Sequence, residues 1–80
     1  MDVKEEIYRL QKRVNEYHQK VERILGYTKG VLWFETPNPL LGGITPLDMI
    51  KMGRHEKLFK FIDNQIAEGG WEKDDAKHND

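Results

Sequence analysis

Between Asp2 and Leu25 the chain contains neither glycine nor proline, and strong helix formers dominate. Within that stretch Val3, Ile7, Leu10, Val14, Tyr17, Val21 and Ile24 recur at alternating steps of four and three residues. That alternation is a heptad seam, with Ile7, Val14 and Val21 at a and Val3, Leu10, Tyr17 and Ile24 at d. Asp2, Glu5 and Glu6 suit the N-terminal end of a helix dipole, and Gly26 suits the position just beyond a helix C-terminus. The pattern predicts one helix from Asp2 to Leu25, roughly 36 Å long at the usual helical rise.

In a chain of 80 residues such a helix outruns the elements left to cover it. The seam therefore has two readings. In one it is the core-facing stripe of this domain. In the other its N-terminal half extends past a small body and pairs with a second copy. On the second reading Ile7, Leu10, Val14, Tyr17 and Val21 form the dimer contact and a homodimer is expected. β-Branched residues at a lean toward a parallel pair, although Tyr17 at d fits a tight seam poorly. His18 lies off the seam and is expected in solvent.

Composition narrows the function classes. One small domain is the most this length supports, and such domains bury only a modest share of their surface. There is no cysteine, so neither a disulfide nor a zinc–thiolate centre can reinforce it. The formal net charge is −1 with both signs intermixed, unlike the basic face of a nucleic-acid binder. No apolar run approaches a membrane span, and the N-terminus does not read as a signal peptide. A soluble, cytoplasmic chain is expected.

All three prolines fall between Thr36 and Leu47. Proline lacks an N–H and fixes φ, so this segment is neither helix interior nor central strand. Gly42-Gly43 permits positive φ, and at least one of Leu40 and Leu41 should enter the core. Before this loop, Thr28 is the expected N-cap of a short helix ending by Glu35, with Gly30 in it for close packing. Trp33 is expected to fill the core and Phe34 to cover the loop. After it, Thr45 as N-cap, Pro46 at N1 and Asp48 at N3 form a compact helix start. That helix should run to Met52 and end at Gly53.

A last helix is expected from about Arg54 to Glu68, burying Leu58, Phe61, Ile62 and Ile66, with Phe59 partly exposed. Gly69-Gly70 should stop it. The remaining tail is polar and aperiodic, with Trp71 at its root, and is expected to be flexible. The fold class read from these signals is all-α: a long heptad helix plus three shorter ones. Residues 1–13 form an extension of the long helix, 14–70 the helical domain and 71–80 the tail.

Catalytic signatures are lacking. The chain has no cysteine and no serine, and His18, His55 and His78 are scattered without metal-ligand spacing. His55-Glu56 begins a zinc-protease pattern, but Phe59 stands where the second histidine is required. Gly42-Gly43 has no Lys-Ser/Thr after it and no strand before it, so it is not a phosphate loop. Neither an enzyme, nor a metal site, nor a bound cofactor is expected.

The run Trp33-Phe34-Glu35-Thr36-Pro37-Asn38-Pro39-Leu40-Leu41-Gly42-Gly43-Ile44-Thr45-Pro46-Leu47-Asp48 resembles the toxin-binding domain of Xre/MbcA/ParS-type antitoxins. The shared pattern is a tryptophan, Thr-Pro-Asn, a leucine, Gly-Gly and Thr-Pro-Leu, then a helix, a glycine and a last helix with an isoleucine and a glycine. Here those positions are Trp33, Thr36, Pro37, Asn38, Leu41, Gly42, Gly43, Thr45, Pro46, Leu47, Gly53, Ile66 and Gly69.

The resemblance spans roughly residues 14–70 and is strongest in the loop. It implies an all-helical module that binds a RES-domain toxin, an NAD-degrading enzyme, and obstructs its cleft largely through the C-terminal region. The implied toxin face comprises Trp33, Thr36, Pro37, Asn38, Leu41, Gly42, Gly43, Thr45, Pro46, Gly69 and Trp71. Truncation after Glu68 would then abolish neutralisation and leave the fold intact. Family members carry an N-terminal helix-turn-helix domain, whereas only the heptad helix precedes the matching region here. DNA binding is therefore not expected of this chain alone. The alternative function is a homo-oligomeric scaffold assembled through the heptad helix, with the loop serving as internal architecture.

Overall fold

A computed structural model describes residues 2–69 and 71. Among the described residues the fold is a small all-α domain of four helices: α1 (Val3–Leu25), α2 (Tyr27–Glu35), α3 (Pro46–Lys51) and α4 (His55–Ala67), with a 3₁₀ turn at Pro39–Leu41. Among the described residues there is no sheet; Asn38 and Ile44 form an isolated antiparallel bridge. The flexibility expected of the polar tail concerns residues 72–80, and the stop at Gly70 concerns that residue; both lie outside the described residues.

α1 begins at Asp2, whose carboxylate accepts from the Lys4 N–H at 3.0 Å. It ends at Gly26, with φ 90° and ψ 163°, a conformation strained for any side chain. That glycine is the whole connection to α2. Its N–H donates to the Glu22 carbonyl at 2.8 Å, and its carbonyl accepts from Gly30 at 2.9 Å. α2 therefore starts at Tyr27 without a side-chain cap, and Thr28 is not the N-cap. A one-residue link carries the backbone from one helix straight into the next, leaving Thr28 already inside the first turn.

Two helices flank the C-terminal half of α1. α2 folds back on it: Gly30 lies against Glu22 and Phe34 stacks on His18 at 4.6 Å. α4 runs parallel to it. Arg13 pairs with Glu56, Tyr17 stacks on Phe59, and Tyr17 and Lys20 reach Asp63, so residue numbers rise together along both helices. The core is Val21, Phe34, Met49, Leu58 and Ile62, with Tyr17, Leu25, Trp33, Leu41, Ile44, Ile50, Ile66 and Trp71 packed around it. Burying these apolar side chains is the main stabilising term, roughly 1.5–3 kcal/mol for each fully buried one.

Three aromatic placements differ from the sequence expectation. Phe34, not Trp33, is the sealed member of its pair, at 3 % exposure; Trp33 is half-buried beside it, edge to face at 5.0 Å. Phe59, at 2 %, is buried on α4 while Phe61 is half-buried. The parallel approach of α1 turns Phe59 toward Tyr17, where the rings stack at 4.2 Å. His18 is not solvated either; it is half-buried between the Phe34 ring and the Glu22 carboxylate.

Candidate partner-binding surface

The proline loop closes on one residue, Asn38. Its N–H donates to the Ile44 carbonyl at 3.0 Å, and its carbonyl accepts from Leu41 and Gly43, both at 2.9 Å. Its side-chain oxygen accepts from the Leu40 N–H at 2.9 Å, capping the 3₁₀ turn that Pro39 begins. Gly42 and Gly43 follow with φ 84° and 85°, the left-handed region where a Cβ is unfavourable. Thr36 ties the loop to α2 by donating to the Leu32 carbonyl at 2.6 Å. The exit is the expected helix start: Thr45 Oγ1 accepts from the Asp48 N–H at 2.9 Å, with Pro46 in the first turn. Thr36, Asn38, Gly42, Gly43, Thr45 and Pro46 thus have a local architectural reason to be where they are.

This closure sorts the two leucines at the tip. Leu41 packs on the core. Leu40 is held out in solvent at 72 % exposure, whereas the resemblance assigned only Leu41 to the partner face. Adjacent positions on a tight turn point apart, so sequence marks that one leucine goes in but not which. Leu32 and Leu47, on the helices flanking the loop, and Met52, just after α3, are exposed as well.

Of the residues the resemblance assigns to a partner face, Thr36, Pro37, Gly42 and Gly43 are exposed. Trp33, Asn38, Leu41, Thr45, Gly69 and Trp71 are half-buried, and Pro46 is buried. Trp33 and Trp71 meet edge to face at 5.3 Å, and Trp33 also lies 6.4 Å from Phe61. Trp71 therefore docks on its own domain. A cut after Glu68 removes that contact, so such a truncation does not leave the packing untouched.

The proposed dimer residues do not form one surface. Val21 is sealed in the core at 0 % exposure. Tyr17 is held by Phe59 and by a 2.6 Å hydrogen bond to Asp63. That bond, then burial, pushes its phenol up to about 12. Val21 has no free face for a second copy, and Tyr17 is half-buried and already engaged by α4. Leu10 and Val14 are half-buried, while Ile7 is 53 % exposed.

Among the concave regions along α1, two also involve α4. A groove between α1 and α4 has Ile24, Ile66 and Ala67 in its floor and Lys20, Arg23 and Asp63 at its edge. A notch where α4 begins is lined by Glu6, Arg9, Leu10, Arg13, His55 and Glu56. His55 Nδ1 is buried there without a hydrogen-bond partner. Arg13 grips Glu56 through two bonds, which hold that carboxylate below its ordinary pKa. Among the described residues no three His, Asp or Glu side chains come together as a metal site, and no helix is long and apolar enough to cross a membrane. Comparison with family models, curated proteins and solved structures returns no match.

Proposed function

We propose that this chain is an antitoxin-type protein-binding module that neutralises a RES-type NAD-degrading toxin by occluding its cleft. The observation that carries the reading is the Asn38-centred loop. It coincides with the motif that resembles the antitoxin domain, and it holds an apolar knob, Leu40, in water on a backbone fastened at both ends. A side chain presented in a fixed position loses little freedom on binding, and such anchors carry much of an interface's energy. Among the described residues Leu40 takes no part in the core. Leu40→Asp therefore leaves the domain folded and acts on partner binding alone.

Co-expression and co-purification with a RES-domain protein test this. The proposal expects rescue of growth, a stable complex, and at least a roughly tenfold weaker complex with Leu40→Asp. Absence of both rescue and complex overturns it. Truncation after Trp71, which spares the Trp33–Trp71 contact, asks whether residues 72–80 block the cleft. Loss of neutralisation with binding retained makes them the blocking segment; full neutralisation assigns the block to the folded body.

A further inference from the structure

We infer that the N-terminal half of α1 is a self-association surface that pairs two copies of this chain in antiparallel fashion, centred between Ile7 and Leu10. The apolar seam is continuous from Val3 to Ile24, but the other described elements cover only part of it. From Arg13 onward α1 is bonded and packed to α4 and α2. Before Arg13 no hydrogen bond joins α1 to another described element, and Val3 and Ile7 stand 67 % and 53 % exposed. The bare part is an extension of an interface the molecule already makes, and its natural cover is another apolar helix face.

Charge identifies that helix and its direction. Residues 2–6 carry three acids, Asp2, Glu5 and Glu6, against the single cation Lys4. Residues 9–13 carry three cations, Arg9, Lys12 and Arg13, and no acid. The segment is thus acidic at one end and basic at the other, and is complementary to a reversed copy of itself. In the antiparallel register Val3 faces Val14 of the second copy and Ile7 faces Leu10, each twice by symmetry. The flanking g positions then bring Glu6 to Arg13 of the other chain, whose guanidinium is bonded to its own Glu56 yet still 42 % exposed and so can take a second carboxylate, again twice, which favours this partner and this direction.

A parallel pair fits less well. It would set the acidic turns side by side, place Glu6 beside Gln11, and crowd both bodies at one end. It would also lose the layer at Val14, where each body already closes on α1. The antiparallel pair sends the bodies to opposite ends and brings the first turn of each α1 to the notch of Arg13, His55 and Glu56 on the other copy. The inference does not depend on the toxin reading, because the seam and its charges lie outside the loop.

The chain has no cysteine, so introduced ones report cleanly. Val3→Cys mixed with Val14→Cys should form a disulfide-linked dimer under mild oxidation. Either variant alone should not, because like positions lie roughly 16 Å apart along the axis, beyond disulfide reach. Sedimentation should show a dimer at about 100 μM, and Ile7→Asp should raise its dissociation constant at least about tenfold with the near-ultraviolet signal of Trp33 and Trp71 unchanged. Self-linkage of Val3→Cys, a wild-type monomer at that concentration, or a dimer indifferent to Ile7→Asp would overturn the inference.

Discussion

Ile7 and Val21 occupy the same heptad position on one helix, yet one is 53 % exposed and the other 0 %. The difference lies not in their own chemistry but in what reaches them. α4 starts at the level of Arg13, which Glu56 in its first turn bonds. The C-terminal half of α1 becomes core by the accident of being opposite α2 and α4. The N-terminal half keeps the same pattern, and among the described residues no element packs on Val3 or Ile7. A periodic apolar stripe reports that a face will be covered; the topology decides by what.

The sharpest way to break this contrast is to place the same charge on both halves. Val21→Asp buries a carboxylate with no partner and should cost more than about 4 kcal/mol, enough to unfold a domain of this size. Ile7→Asp should change the stability of a dilute sample by less than about 0.5 kcal/mol. Chemical denaturation of the two variants measures both. Similar losses would show that the N-terminal half is part of the core.

Gly30→Ala probes how tightly the covered half is clamped. Alanine is the better helix former by about 1 kcal/mol. Here its Cβ would sit 2.9 Å from Glu22 Cγ and 3.1 Å from Glu22 Cα, forcing α2 off α1. A net loss of about 1–2 kcal/mol is expected from that overpacking; a gain would mean the α1–α2 contact yields easily.

The smallest effect is the pH dependence of the α1–α4 contact. The Tyr17 phenol is pushed up from 10.0 to about 12, first by its bond to Asp63 and then by burial. Its neutral form is favoured in the fold, so its contribution is complete below about pH 10 and is lost as pH rises toward about 12, while the unfolded chain ionises first. Thermal melts across that window should fall more steeply for the wild type than for Tyr17→Phe. Parallel slopes would place Tyr17 free of Asp63.

Features with a local cause were legible in the sequence. The span of α1, the cap at Thr45, the closeness at Gly30 and the burial of one tip leucine each follow from residues within a few positions of one another. What failed was azimuth. Trp33 against Phe34 and Phe59 against Phe61 are pairs of large apolar groups close together on one helix, and either member suits a core. The choice is made by where α1 lies, which depends on the single-residue turn at Gly26 and on the parallel course of α4. His18 was misplaced for the same reason, since its cover comes from α2. The loop's architecture was visible in its prolines and glycines, but the exposure of Leu40 depends on hydrogen bonds that no pattern announces.

Residue-resolved hydrogen exchange along α1 tests the division of this helix most directly. In dilute solution the amides of residues 14–25 should exchange only through global unfolding. Those of residues 7–12 should exchange at least about a hundredfold faster and slow as concentration rises and the second copy covers them. Uniform protection from Ile7 to Leu25 in dilute monomer would contradict the account.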